Sequence, residues 1–134
     1  MHELGLDEAV VFAGCMADSE LKSLYQAGTV YCCMSEHEGF CLPVVEAMHF
    51  GLPVVAYASS ALPETIGAGG VLVHEKRHAE IAELIAEIAR NQDLRNSLIA
   101  AGKSRVAGLT YDVFSRRVQE IFSAGSDLSR VVNR

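Results

Sequence analysis

Two short apolar runs, TVYCCMS at 29–35 and PVVAYA at 53–58, bracket a segment punctuated as a helix. Pro43 suits the first turn of that helix and Gly51 falls just past its end. The first run is apolar at successive positions, as in a parallel strand buried on both faces. A strand, a helix and a second strand in that order form a crossover unit, and such a unit requires a parallel sheet.

The flanking segments extend the pattern. AVVFAG at 9–14 reads as a strand ended by Gly14. ADSELKSLYQAG then predicts a helix capped by Asp18 or Ser19, with Leu21, Leu24 and Tyr25 on one face and Gly28 as its stop. SSALPETIGAGG reads as a polar, glycine-rich loop, and GVLVH at 70–74 as a fourth strand. Three helical stripes follow: Ile81, Leu84, Ile85 and Ile88; then Leu94, Leu98 and Ala101, before Gly102; then Phe114, Val118, Ile121 and Phe122. The expected fold class is α/β, a Rossmann-like doubly wound parallel sheet of about four strands with C-terminal helices. Residues 1–125 form one partial domain on this reading, and 126–134 a frayed tail. The first strand begins abruptly, as if the chain entered the fold midway.

Composition narrows the function classes. A chain of 134 residues, half of them hydrophobic, can bury one real core and not two. A net charge of −6 without a basic stripe makes nucleic acid an unsuited partner. No apolar run has the length of a membrane span, and MHELGLDEAVVF lacks the features of a secretion signal. A cytoplasmic location is the expectation. Cys15, Cys32, Cys33 and Cys41 lack the spacing of a zinc knuckle or redox pair, and read as small buried thiols. Adjacent Cys32 and Cys33 should point to opposite faces of their strand. His37, His49, His74 and His78 are scattered, so no metal site and no cofactor are expected.

The chemistry concentrates in SEHEGFCLPVVEAMHFGLPVV, residues 35–55. In an open parallel sheet, ligands sit at the carboxyl ends of the strands. The loop leaving the run at 29–35 should therefore face the crevice. Amides of Phe40, Cys41 and Leu42 open the next helix and favour an anion such as a diphosphate, while Pro43 offers none. Gly39 lets a ligand approach the backbone closely. Glu38 and Glu46 flank this anion site. Carboxylates repel phosphate but accept hydrogen bonds from hydroxyls. Ribose, diphosphate and hexose in a row, the layout of a nucleotide sugar, match that arrangement. Acids near a helix N-terminus are also what the helix dipole favours, so capping and solvation account for the pair equally simply.

The string SEHEGFCLPVVEAMHFGLPVVAYASSALPETIGAGGVLV closely resembles the donor-binding segment of retaining group 1 glycosyltransferases of GT-B architecture. The likeness extends upstream through VVFAGCMADSELKSLYQAGTVYCCMS and into the helical end. Its core is an E-x7-E motif, EGFCLPVVE. The resemblance implies transfer of a hexose, such as mannose or glucose, from a nucleotide diphosphate sugar to an acceptor, with retention at the anomeric carbon. Glu38 matches the motif acid of the catalytic site, which holds the donor sugar's hydroxyls without attacking it. Glu46 matches the acid that binds ribose. Gly39, Phe40 and Cys41 match the loop lining sugar and phosphates, and Leu42 and Pro43 the helix start. Gly14 and Cys15, followed by Met16, match the turn near the base. Glu64, after the next strand, is a weaker candidate, and His37 reads as a loop residue. No metal is implied.

Two departures bear on this reading. Cys41 stands where glycine is frequent, which narrows its backbone freedom. The family's acceptor-binding N-terminal domain, and the Arg and Lys that neutralise its diphosphate, have no counterpart here. Lys22, Lys76 and Arg77 are the cations nearest in sequence. The expectation is a partial site, inactive by itself. Other readings are a non-catalytic nucleotide-binding or assembly module completing a split enzyme, and a nucleotide-sugar epimerase of the same architecture. A sheet entered midway should expose an edge strand and invite self-association. The whole enzyme could work in the cytoplasm or at the inner membrane surface.

Overall fold

The computed structural model describes residues 5–128. Three strands, β1 (Tyr31–Cys33), β2 (Val54–Tyr57) and β3 (Val71–Val73), form one parallel sheet in the order β1-β2-β3. Among the described residues six helices accompany it: α1 (Asp18–Ala27), α2 (Leu42–His49), α3 (Leu62–Ile66), α4 (His78–Arg90), α5 (Gln92–Ala107) and α6 (Tyr111–Leu128). Tyr31 lies opposite Val54, and Val55 opposite Val71. The fold is the α/β, Rossmann-like arrangement that the sequence pattern implies, with one strand fewer.

The missing strand is the segment 9–14. Ala9 and Val10 donate instead to the Leu6 carbonyl in a turn, both at 3.0 Å. Val11 and Phe12 are 86% and 82% exposed. β-branched and aromatic residues favour a pleated, half-buried surface, and a strand needs a hydrogen-bonding neighbour. Among the described residues β1 pairs with β2 alone, and its other edge is open.

Helix α2 is the centre of the core. Its Val44, Ala47 and Met48 are fully buried, and they cluster with Cys33, Val54, Ala56, Leu62 and Ile66. Behind it runs α5, and Gly102, which follows the second apolar stripe, lies buried within that helix. A Cβ on Gly102 would meet Met48 Cγ and the Gly69 carbonyl, both at 3.2 Å, so this glycine lets α5 approach α2 closely. Cys32 is exposed and Cys33 buried, as alternation along a strand requires. Burial of β1 is thus one-sided, whereas Val54, Val55 and Ala56 of the central strand are buried on both faces.

The loop expected at 59–70 contains a short helix, α3, with Pro63 in its first turn. Ala17 precedes α1 as its N-cap, in place of Asp18 or Ser19, and its amide donates to Glu20 Oε2 at 2.8 Å. The stripe Phe114, Ile121 and Phe122 is helical but 64–75% exposed. Helix α6 runs on to Leu128, past the expected fraying point, and the rest of the tail, 129–134, lies outside the described residues. Among the described residues no helix is long and apolar enough to cross a membrane.

Candidate functional site

The loop from β1 to α2 emerges at the carboxyl end of the sheet, with its flank held by the β2–α3 connection. Ser59 Oγ donates to the Ser35 carbonyl at 2.7 Å, and Ser60 Oγ to the Glu36 carbonyl at 3.3 Å. The Ala61 amide reaches the Glu38 carbonyl at 3.4 Å. His37 Nδ1 lies 3.4 Å from Ser60 Oγ, a loop contact as expected. Lys76 pairs with Glu36 at 2.7 Å and lies over the Tyr57 ring. That ammonium holds the exposed Glu36 carboxyl below its usual range.

Helix α2 opens at Cys41, whose backbone is left-handed, φ 63° and ψ 67°. The first bond back into the turn is from the Val44 amide to the Cys41 carbonyl, 3.1 Å. Helix geometry leaves the preceding amides without an intrahelical partner, and they carry the positive end of the dipole. Gly39 and Phe40 are exposed beside them, and Leu42 and Pro43 sit on the outer surface of the first turn.

Glu46 lies one turn further on. One of its oxygens, Oε2, accepts a hydrogen bond from the buried Tyr25 hydroxyl at 3.1 Å. Tyr25 also lies 3.4 Å from the Pro43 carbonyl and stacks on Phe50, ring centroids 5.5 Å apart. Burial, then Glu46, pushes the Tyr25 phenol up to about 12. A cavity of about 520 Å³ opens here, lined by Leu21, Tyr25, Tyr31, Pro43, Glu46 and Leu52 among others. A smaller one beside it brings Asp18 and Lys22 up to Glu46.

Glu38 is half-buried and lies outside that larger cavity. Its carboxylate belongs instead to a group with the Cys33 and Cys41 thiols, all within 4.8 Å of one another. Burial first, then the neighbouring Tyr25, raises the Tyr31 phenol, whose ring lies 6.1 Å from that of Tyr25. Glu46 thus meets the tyrosine pair through Tyr25, while Glu38 meets the two buried thiols. Burial pushes the Cys41 thiol up to about 11, which makes it a poor nucleophile. Gly14 (φ 66°) and Cys15 sit in the exposed approach to α1 and line neither cavity at Glu46.

Two residues escape a sequence reading. Tyr25 falls on the apolar stripe of α1, yet a buried phenol needs a polar partner, and that need is the signal. Arg105 of α5 lines a third cavity with Gly39, Phe40 and Glu64. Its guanidinium donates to the Thr65 carbonyl at 2.9 Å and the Glu64 carbonyl at 2.6 Å, so it fastens α3 beside the loop.

Residues 1–105 match the family model described as glycosyl transferases group 1. The chain is 35% identical over 130 residues to the MMP alpha-(1->4)-mannosyltransferase of Mycolicibacterium hassiacum, covering 97% of this chain and 29% of that protein. Among solved structures, it is similar to the C-terminal domain of a glycosyl transferase group 1 family protein from Francisella tularensis. The identity there is 35% and the TM-score 0.67, over 79% of this chain and 56% of that one. It is also similar to sucrose-phosphate synthase from Thermosynechococcus elongatus, at 28% identity and TM-score 0.75, over 92% of this chain and 33% of that one. The chain thus spans under a third of the length of the mannosyltransferase. On the family match and these likenesses, the chain belongs to the group 1 glycosyltransferases.

Proposed function

We propose that the chain is the donor-binding part of a retaining glycosyltransferase that moves a hexose from a nucleotide diphosphate sugar to an acceptor. The observation that carries this reading is the anchored Glu46 beside its cavity. Tyr25 takes one carboxylate oxygen and leaves the other for a ribose hydroxyl. Amides of Phe40, Cys41 and Leu42 take the diphosphate, and Gly39 admits it to the backbone. Glu38 holds the sugar hydroxyls. Pro43 lines the pocket with Leu42 exposed beside it, and the turn at Gly14 and Cys15, outside both cavities, is assigned to the base. The departing phosphate gathers charge in the transition state, and preorganised amides stabilise it at that point. A mannose donor is in keeping with the mannosyltransferase likeness. The donor is a substrate; no cofactor or metal enters this scheme, and the reaction is placed in the cytoplasm.

The acceptor side, and the cations for the diphosphate, come on this proposal from a further polypeptide segment. Lys76 and Arg105 are already committed, to Glu36 and to the α3 carbonyls. The β1 edge left open among the described residues is where such a segment or a second copy would pack.

Calorimetry with GDP- and UDP-sugars tests the proposal. Weak binding of one donor, lost in Glu46→Ala, is the expected result. Donor binding that is unchanged in Glu46→Ala would overturn the site assignment.

A further inference from the structure

Two thiols and a carboxylate meet beneath the β1–α2 loop. Cys33 ends β1, Cys41 is the N-cap of α2, and Glu38 comes from the loop between them. The sequence offers no ligand motif here, since the cysteines are eight positions apart. The fold brings their sulfurs to 4.0 Å, with both side chains buried and the Glu38 carboxylate within 4.8 Å of each.

That spacing has a chemical meaning. Two thiolates on a tetrahedral zinc at about 2.3 Å are separated by about 3.8 Å. The observed 4.0 Å is close to this edge, and about twice the length of a sulfur–sulfur bond. A carboxylate oxygen as third ligand leaves the fourth position for water. The positive φ at Cys41 is part of the arrangement, because it turns the chain sharply from the loop into α2.

We propose that Cys33, Cys41 and Glu38 form a binding site for one thiophilic divalent cation, such as Zn²⁺ or Cd²⁺. Loading replaces the two thiol protons, which leave to solvent, and the carboxylate supplies the third bond. Metal binding by this trio stands on the geometry alone. A consequence rests on the proposed function: Glu38 cannot hold a cation and a donor sugar together, so the cation inhibits.

The test uses the whole chain in a Cys15→Ser/Cys32→Ser background, which removes the two exposed thiols. Titration with Cd²⁺, followed by the ultraviolet sulfur-to-metal charge-transfer band, should saturate at one equivalent. Cys33→Ser and Cys41→Gly should each abolish that one-equivalent band. Glu38→Gln, which leaves both thiols in place, should weaken affinity tenfold or more, with circular dichroism showing each variant folded. A band that survives Cys41→Gly, or Cd²⁺ affinity unchanged in Glu38→Gln, would overturn the site. Cation binding without any effect on donor affinity would leave the site standing and contradict the role given to Glu38 in the donor pocket.

Discussion

The Tyr25 hydroxyl of α1 donates to the Glu46 carboxylate of α2 at 3.1 Å, and this bond ties the two helices together beside the larger cavity. Burial of the phenol, with this bond second, also makes stability depend on alkaline pH. The phenol is raised from 10.0 to about 12 in the folded chain, so the folded chain holds that proton more tightly than the unfolded one. Its contribution is complete below pH 10 and lost as pH rises toward about 12. Denaturant titrations across that window should show a loss on the order of 2 kcal/mol. Tyr25→Phe should flatten the dependence in part, since burial raises Tyr31 as well. It should also cost about 1–3 kcal/mol near neutrality. An unchanged alkaline slope in Tyr25→Phe would count against a raised Tyr25 phenol in the folded chain.

Cys41 adopts φ 63° at the entry to α2, a region that side chains beyond glycine rarely occupy. Cys41→Gly relieves that strain while losing a small buried thiol, and should leave stability within about 1 kcal/mol of the parent. Cys41→Val adds β-branching at the same angle and should cost at least about 2 kcal/mol. Equal melting temperatures for the two variants would contradict the geometry.

The open edge of β1 and the exposed Leu24, Phe114, Ile121 and Phe122 predict self-association. Light scattering should show the weight-average mass rising with concentration. Phe122→Glu should reduce that rise. A monomer throughout the range would argue that these faces stay exposed in the isolated chain.

Much of this was legible in the sequence. The unit from Tyr31 to Tyr57 carried helix punctuation between two apolar runs, and its strands and helix formed where the pattern put them. Local signals sufficed there because each element is buried against the next. Segment 9–14 has equal strand propensity and stayed exposed, since propensity does not provide a neighbouring strand. Helix α3 hid among prolines, serines and glycines that normally mark a loop. The glutamate pair was visible from motif and charge. Its partners were not: Tyr25 lies 21 residues from Glu46 and Cys33 five from Glu38, and Arg105, 41 residues from Glu64, fastens α3 beside the loop, all through tertiary folding.

On the proposed function, amides opening α2 hold the diphosphate of a donor whose ribose binds Glu46. Amide nitrogen–proton NMR of the labelled chain, titrated with a nucleoside diphosphate, tests it most directly. The largest shifts should fall on Gly39, Phe40, Cys41 and Leu42, with a second set around Glu46 and Tyr25. Shifts confined to the far groove lined by Val73, Arg77, Ile81 and Leu84 would contradict it.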